Sequence, residues 1–243
     1  MNTIEYGKKA IREEILHTAA IDFKYLLNRG FRRDIALRFI GDRYGLSKIE
    51  RAILYRAIFS DTDIRNRKLK ITPIYKVRES PLVVDGFNVI TTIESALRGE
   101  LLILCEDDFV RDITSVFRKI RITSFTYEVV DLLLEYLKFD LKVKKVNIVL
   151  DSQVSKSGEL SAYMRYTMKD LSLEGTAKTS RSADVGLREF NGIVTSSDSV
   201  VISYASKVFD LGGKVAVMVA ELVGNENILD MRRLLGFMEV SVK

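Results

Sequence analysis

Hydrophobic positions in the first 60 residues recur at the spacing of an α-helix. Ile11, Ile15 and Leu16 begin this pattern, and it continues with few interruptions to Phe59. Apolar residues three or four positions apart lie on one face of a helix, so the pattern predicts helices that pack together through that face. Gly30 follows one apolar stretch, and a glycine there is typical of the end of a helix. Residues 1–60 are therefore predicted to form an all-α domain.

This domain contains a short turn between two helical segments. Gly45 and Ser47 interrupt the pattern, and Glu50 follows Ser47 three residues later. Serine and glutamate at this spacing form a capping box, in which each side chain accepts a hydrogen bond from the other residue's backbone. The arrangement resembles a helix-turn-helix, a motif whose second helix contacts DNA. A small helical bundle with solvated arginines is the alternative.

Residues 61–80 lose the helical periodicity and are rich in arginine and lysine. We predict a basic linker here, with a short strand within residues 69–77. Its basic side chains would either line a path for a nucleic acid strand or simply be solvated.

From residue 81 onwards, short apolar runs alternate with segments of helical periodicity. Such runs are typical of parallel strands, and the helices between them cover both faces of the sheet. Residues 81–243 are therefore predicted to form a three-layer α/β domain with a mostly parallel central sheet. The predicted strands are 81–85, 143–150, 171–177, 192–196 and 214–221, and the predicted helices are 125–139, 159–169, 182–190, 199–209 and 226–237.

The composition is that of a globular protein with two modest domains. The chain has 243 residues, of which 47% are hydrophobic, and this is ample for buried cores. Its apolar runs are too short for a membrane-spanning helix, which needs about 20 residues. The N-terminus lacks the apolar stretch of a signal peptide, and a single Cys excludes an internal disulfide. We therefore expect a cytoplasmic protein without a membrane partner.

The net charge of +5 is distributed unevenly. Residues 1–80 contain 18 basic and 10 acidic residues, whereas the remainder contains 20 basic and 23 acidic residues. This asymmetry favours binding of a polyanion by the N-terminal region and of a cation by the C-terminal region.

Four aspartates stand at or near the ends of apolar runs: Asp85, Asp151, Asp184 and Asp198. Because parallel strands end at one edge of a sheet, we expect these carboxylates to lie near one another. Clustered carboxylates repel, so they need a cation or a shared proton to coexist. The chain has one His and one Cys, too few for zinc ligation, and oxygen ligands favour Mg²⁺ or Mn²⁺. The pattern thus predicts a divalent-metal site suited to phosphodiester hydrolysis.

The motifs around these aspartates resemble those of PIN-like nucleases, especially the NYN branch. They are DGFNV at 85–89, Asp151, SAD at 182–184 and TSSD at 195–198, and the resemblance covers residues 80–222. Members of that superfamily are mostly metal-dependent ribonucleases, so the resemblance implies a PIN-like fold, Mg²⁺ or Mn²⁺ as cofactor, and RNA, less readily DNA, as substrate. Homodimers are common for this fold. The whole chain also resembles an uncharacterised prokaryotic family with a basic helical N-terminal domain.

The resemblance assigns roles to six residues. Asp85, Asp151, Asp184 and Asp198 would be metal ligands or would hold the metal's waters. Asn88 would fix Asp85, and Ser196 would be a hydroxyl beside the ligands or the substrate phosphate. Each aspartate also has a plain structural alternative: Asp85 as an ordinary polar end of a strand, Asp151 as a loop acid, and Asp184 and Asp198 as acids at helix N-termini.

A segment over residues 96–125 has no counterpart in a minimal NYN domain. It contains Glu106, Asp107, Asp108 and Asp112. These acids would either be further metal ligands or lie in a solvated loop and the first turn of a helix, where acids suit the helix dipole. We expect the second arrangement.

Basic residues in both regions are the expected contacts for nucleic acid, since lysine and arginine neutralise phosphates. The alternative function is that of a regulator or scaffold that binds nucleic acid without cutting it. The candidates are Arg32, Arg33, Arg38, Arg43, Lys48 and Arg51 in the helical domain, and Lys156, Arg165 and Arg181 near the acidic edge.

Other enzyme classes lack their motifs in this chain. There is no GxxxxGK phosphate loop and no GxGxxG fingerprint after a strand. A haloacid-dehalogenase phosphatase would need a second aspartate where Phe87 stands. His17 has no nucleophile nearby in the sequence, and Cys105 follows an apolar run, so we expect it to be buried and inert.

Overall fold

The N-terminal region is helical, as its periodicity predicts. The computed structural model describes residues 11–78, 80–113, 116–181, 187 and 190–236. Its first three helices are α1 (Glu13–Asn28), α2 (Arg33–Arg43) and α3 (Lys48–Ala57). Gly30 follows α1 with φ +80°, the left-handed conformation that ends many helices. The capping box is confirmed, because Ser47 and Glu50 exchange backbone-to-side-chain hydrogen bonds of 3.2 and 2.8 Å at the start of α3.

The prediction that residues 61–80 form a linker without helices is wrong. This segment contains two helices, α4 (Asp61–Lys68) and α5 (Ile74–Val77). The only buried residue of α4 is Arg67, so hydrophobic periodicity carried no signal for this helix. Ser60 caps it by accepting a hydrogen bond from the N–H of Asp63. The expected strand is reduced to Ile71, which forms a single bridge with Val208.

The remainder alternates strands and helices. The strands are β1 (Leu82–Asp85), β2 (Leu102–Leu104), β3 (Val110–Asp112), β4 (Val146–Asp151), β5 (Gly175–Ser180), β6 (Ile193–Thr195) and β7 (Ile228–Asp230). The helices are α6 (Gly86–Leu97), α7 (Ser124–Glu135), α8 (Ser157–Asp170), α9 (Ser199–Tyr204), α10 (Leu211–Val223) and α11 (Met231–Leu234), and a π-helical segment, Tyr136–Asp140, extends α7.

Among the described residues, the main sheet has four parallel strands in the order β5-β4-β1-β6. The predictions of an α/β architecture and a mostly parallel sheet are thus confirmed. Strands β1, β4 and β6 and helices α7 and α8 lie where the hydrophobic pattern placed them, within a few residues. Strand β5 begins four residues later than predicted, and α9 ends five residues earlier. Of the predicted helix 182–190, all but Leu187 and Phe190 lie outside the described residues.

Two predicted elements near the C-terminus are wrong. Residues 214–221 form part of helix α10 instead of a strand, and 226–237 contains β7 before the short helix α11. Helix α10 packs closely on α6, so that a Cβ added at Gly212 would lie 3.3 Å from the Cα of Val89. A short helix that is apolar on most sides shows no helical period, so an apolar run alone does not distinguish it from a buried strand.

The segment 96–125 builds a second, three-stranded sheet in the order β3-β2-β7. Strands β2 and β3 pair antiparallel, and β7 joins β2 in parallel. Leu101, Ile103 and Cys105 from this sheet share a hydrophobic core with Phe23 and Ile53 from the N-terminal helices. The segment therefore joins the N-terminal helices to the parallel sheet. Within the described part of the chain, no helix is long and apolar enough to cross a membrane.

Candidate functional site at the carboxyl edge of the parallel sheet

The order of the main sheet creates a crevice between β1 and β6. The chain proceeds from β1 to β4 and β5 on one side and then returns to place β6 on the other side of β1. At such a switch point the connections leave neighbouring strands in opposite directions, and ligands of open α/β sheets bind outside the carboxyl ends of those strands. Asp85 ends β1 at this crevice, and residues 196–198 follow β6 across it.

A serine hydroxyl joins the two sides of the crevice. Ser196 Oγ donates a hydrogen bond of 2.8 Å to Asp85 Oδ2 and accepts one of 3.0 Å from the N–H of Asp198. Ser196 is buried, whereas Asp85 is partly exposed. The orientation of the Asp85 carboxylate is therefore fixed by a group that solvent does not reach.

Asn88 lies in the first turn of α6 and fixes the loop after β6. Its Oδ1 accepts hydrogen bonds from the N–H of Ser197 at 2.8 Å and from its hydroxyl at 3.1 Å. The resemblance implied that Asn88 fixes Asp85. In the structure its described hydrogen bonds hold the loop that carries Ser196, so its influence on Asp85 passes through Ser196.

Asp151 and Asp198 lie at the same edge as Asp85. Asp151 ends β4, and because Asp85 pairs with Val149, Asp151 extends two residues, or about 6.6 Å, beyond it. Its Oδ1 accepts a hydrogen bond of 2.8 Å from the N–H of Gln153. Asp198 Oδ1 caps α9 by accepting from the N–H groups of Val200 and Val201 at 2.7 and 3.2 Å. Asp184 lies outside the described residues.

The donors at this edge suit a hard cation, although they do not form a closed cage. Among the described residues, no three His, Cys, Asp or Glu side chains lie close enough together to hold a metal ion. Mg²⁺ commonly uses one or two protein carboxylates and completes its octahedron with waters and substrate phosphates. Asp85, with a second carboxylate from the same edge, fits that open form of coordination.

The acids of segment 96–125 are neither ligands at this edge nor a solvated loop. Asp107 is fully buried and accepts two hydrogen bonds of 2.7 Å from Arg111 and one of 2.8 Å from Arg67 of α4. Glu106 is also buried, and it binds Lys24 of α1 at 2.6 Å and the N–H of Phe59 at 3.1 Å. Our expectation for them was wrong because their partners lie far away in the sequence.

The other two acids of this segment also have partners. Asp108 is partly exposed and forms ion pairs with Lys68 at 2.8 Å and Arg232 at 2.7 Å. Asp112 is buried beside α6, where one of its oxygens lies 3.5 Å from the hydroxyls of Thr91 and Thr92. The segment thus supplies ionic contacts to both neighbouring parts of the fold.

Arg111 connects this buried ion-pair network to the crevice, a role that the sequence did not indicate. Its Nε donates a hydrogen bond of 2.7 Å to the carbonyl oxygen of Ser197. The Arg111 side chain is 2% exposed, so the bond is shielded from water. The loop after β6 is therefore held by Asn88 from one side and by Arg111 from another.

Asp210 is a second residue that the sequence analysis missed. It caps α10, and its carboxylate accepts hydrogen bonds from the N–H of Gly213 at 2.9 Å and of Val110 at 2.8 Å. Burial raises the pKa of Asp210 to about 6, and these two hydrogen bonds act in the opposite direction. An aspartate two positions before a pair of glycines, at the start of an apolar run, was the available sequence signal for this helix cap.

Several predicted nucleic-acid contacts are occupied by contacts within the protein. Arg33 donates to the carbonyls of Tyr55 and Ile58, and burial lowers its pKa to about 10. Arg51 binds Asp42 and the carbonyl of Leu46, and Arg165 binds Ser161 and the carbonyl of Ala177. Arg32 pairs with Asp34 but remains exposed. Arg165 is likewise exposed despite these contacts, and the remaining exposed candidates are Arg38, Arg43, Lys48, Lys156 and Arg181.

Cys105 is buried in the core beneath the N-terminal helices, as expected. Desolvation raises the pKa of its thiol to about 12. The thiol is therefore protonated at neutral pH, which agrees with an inert structural role.

Comparison with known proteins identifies families for both regions. The family model described as "Protein of unknown function (DUF434)" matches residues 15–70. The family model described as "Domain of unknown function (DUF5616)" matches residues 74–214. The uncharacterized protein MJ0935 of Methanocaldococcus jannaschii is 38% identical over 187 residues, which are 77% of this chain and 88% of that protein. No solved structure matches the chain significantly. The expected pairing of a helical N-terminal region with an α/β domain is confirmed, and the chain belongs to the DUF5616 family, with a DUF434 region preceding that domain.

Proposed function

We propose that the crevice between β1 and β6 is the site of metal-dependent phosphodiester hydrolysis, with RNA as substrate and DNA as the less favoured one. The observation that carries this proposal is the Asp85 carboxylate, held at the switch point by the buried hydroxyl of Ser196 at 2.8 Å. A carboxylate fixed in one orientation at the ligand-binding edge of an α/β sheet is prepared for a cation or a polar substrate. The PIN-like motifs around it favour the cation.

Each residue at the edge has a distinct part in this reaction. A bound Mg²⁺ or Mn²⁺ supplies an activated water and neutralises charge on the phosphate. Asp85 would hold the ion together with Asp184 and Asp198, and Asp151 would orient the attacking water or hold a second ion. Ser196 keeps the Asp85 carboxylate in place. Asn88 and Arg111 hold the loop after β6, which carries Ser196, beside the end of β1.

Cleavage of end-labelled single-stranded RNA by the full chain tests the proposal. We expect products in Mn²⁺ or Mg²⁺ and none when a chelator is present, because the bound ion would activate the water that attacks the phosphate. Matched single-stranded DNA should be cut more slowly. Cleavage that persists in excess chelator, or no cleavage in either metal over varied RNA substrates, would refute the assignment.

A second candidate function is a non-catalytic regulator that binds nucleic acid. It is favoured by the lack of three clustered ligand side chains among the described residues and by exposed arginines and lysines on α2 and α3. The two functions separate in one comparison. Salt-dependent RNA binding without cleavage in any metal supports the regulator, because phosphate contacts alone make affinity fall with salt.

A further inference from the structure

A charged cleft lies between α6 and the segment that leads into α7. Its volume is about 210 Å³. One wall is formed by Thr91 and Ser95 of α6 and by Arg98 directly after that helix, and the other by residues 118–121 and Thr123. Residues 118–121, with the sequence RKIR, belong to the segment that a minimal NYN domain does not need.

The polar face of α6 connects this cleft to the crevice at Asp85. Asn88, Thr91 and Ser95 of the helix, and Arg98 directly after it, are spaced three or four residues apart and therefore follow one face. Asn88 and Thr91 are partly exposed, whereas Ser95 is buried. Thr91 is three residues, about 4.5 Å, beyond Asn88 along the helix axis. Arg98 is ten residues from Asn88, which corresponds to about 15 Å along the helix axis. A single strand can extend several phosphates over that distance.

The charges that line the cleft favour an anionic ligand. Its lining contains Arg98, Arg118, Lys119 and Arg121 against Glu94 and Glu100. Both acids are paired inside the cleft, Glu100 with Arg118 at 2.6 Å and Glu94 with Arg98 at 3.6 Å. Lys119 and Arg121 are exposed and have no ion-pair partner among the residues that the structure describes. These two cations are therefore available to a ligand.

We propose that this cleft binds the phosphate backbone of the single-stranded RNA whose scissile phosphate is placed at Asp85, an inference that rests on the proposed function. A volume of 210 Å³ is below the 300–1,000 Å³ of pockets that enclose a whole small ligand. The cleft thus fits a phosphate group with its neighbouring sugar, and the strand would continue past Thr91 to Asn88, which are both partly exposed. Segment 96–125 has, on this account, a second role in gripping the substrate.

Nucleic acid binding by a charge-neutralised variant tests the cleft separately from catalysis. The probe is a fluorescein-labelled single-stranded RNA oligonucleotide, and the buffer contains chelator so that no turnover occurs. The variant is Lys119→Gln/Arg121→Gln in the full chain. The matched control is Lys144→Gln/Lys169→Gln, which removes the same charge from exposed residues that do not line the cleft. Fluorescence anisotropy is recorded over a salt series.

We expect the slope of log Kobs against log[salt] to become shallower by about 1.4 in the cleft variant, since two phosphate contacts are lost at about 0.7 each. The control should keep the wild-type slope. An unchanged slope in the cleft variant, or an equal change in both variants, would overturn the proposal. Binding of polyglutamate at the cleft as tightly as RNA would also overturn it. Cleavage by the wild type together with an unchanged slope in the cleft variant refutes the cleft alone. A reduced slope without cleavage in any metal refutes only the catalytic proposal.

Discussion

Replacing Asp85 with asparagine is expected to reduce metal-dependent RNA cleavage by a factor of about 10² or more. A divalent ion contributes several kcal/mol of charge stabilisation in the transition state, and each ~1.4 kcal/mol is a tenfold change in rate. Asparagine removes the negative charge that would hold the ion. Its carbonyl oxygen still accepts the hydrogen bond from Ser196, and the Asp85 side chain does not cap α6, so the fold should be preserved.

A matched control for this variant is Asp170→Asn. Asp170 is an exposed aspartate at the end of α8, ahead of β5 and therefore at the amino edge of the parallel sheet. Its replacement makes the same chemical change far from the crevice and should leave cleavage at the wild-type rate. The comparison uses initial rates at saturating Mn²⁺, with circular dichroism as the check on folding. If Asp85→Asn cleaved RNA at the wild-type rate, the assignment of Asp85 to the site would be wrong.

Replacing Asp107 with asparagine is expected to lower the free energy of unfolding by about 3–5 kcal/mol. The Asp107 side chain is 0% exposed and that of Arg111 is 2% exposed, so neither charge is solvated when its partner is lost. Both carboxylate oxygens of Asp107 accept hydrogen bonds from Arg111, and one also accepts from Arg67. In asparagine one of these oxygens is replaced by an NH2 group, which cannot accept. The change leaves buried guanidinium charge uncompensated between α4 and β3.

Asp108→Asn is the control for this second prediction. Asp108 stands next in the sequence and also pairs with two cations, Lys68 and Arg232, but these side chains are 34–43% exposed. Exposed ion pairs contribute about 0–1 kcal/mol, so this variant should unfold close to the wild type. The measurement is urea unfolding of the wild type, Asp107→Asn and Asp108→Asn. Equal midpoints for Asp107→Asn and the wild type would show that the buried network does not stabilise the fold.

Elements with local sequence signals were predicted correctly. The start of α3 was fixed by the Ser47 and Glu50 capping box, and the end of α1 by Gly30. Strands β1 and β4 were evident because each is a short apolar run that ends in an aspartate. In these cases the residues that determine the structure lie within a few positions of one another, so their spacing is visible in the sequence.

Elements determined by distant partners were not predicted. Helix α4 buries only Arg67, whose partner Asp107 is 40 residues away. Helix α10 packs along α6 and is apolar on most sides. Its composition therefore resembles that of a buried strand. The acids at 106 and 107 looked like a solvated loop, since nothing nearby in the sequence indicates that they bind Lys24 and Arg67 across the shared core.

The sequence indicated which residues lie at the candidate site, but not the contacts that hold them there. Parallel strands were expected to bring Asp85, Asp151, Asp184 and Asp198 to one edge. Asp85, Asp151 and Asp198 lie at that edge, and Asp184 lies outside the described residues. Ser196 donates a hydrogen bond to Asp85, and its role beside a metal ligand or a phosphate stays a prediction. The contact of Arg111 with the Ser197 carbonyl joins residues 86 positions apart and depends on a sheet that the sequence did not reveal.

Titration of the ¹⁵N-labelled protein with Mn²⁺ tests the proposed metal site most directly, because it requires no knowledge of the natural substrate. Paramagnetic Mn²⁺ broadens the amide signals nearest to it. We predict that substoichiometric Mn²⁺ broadens the signals of residues 85–88 and 195–198 first, and that Asp85→Asn abolishes this selectivity. Uniform broadening, or selective broadening at another acidic pair such as Asp108 and Asp230, would contradict a metal site at the crevice between β1 and β6.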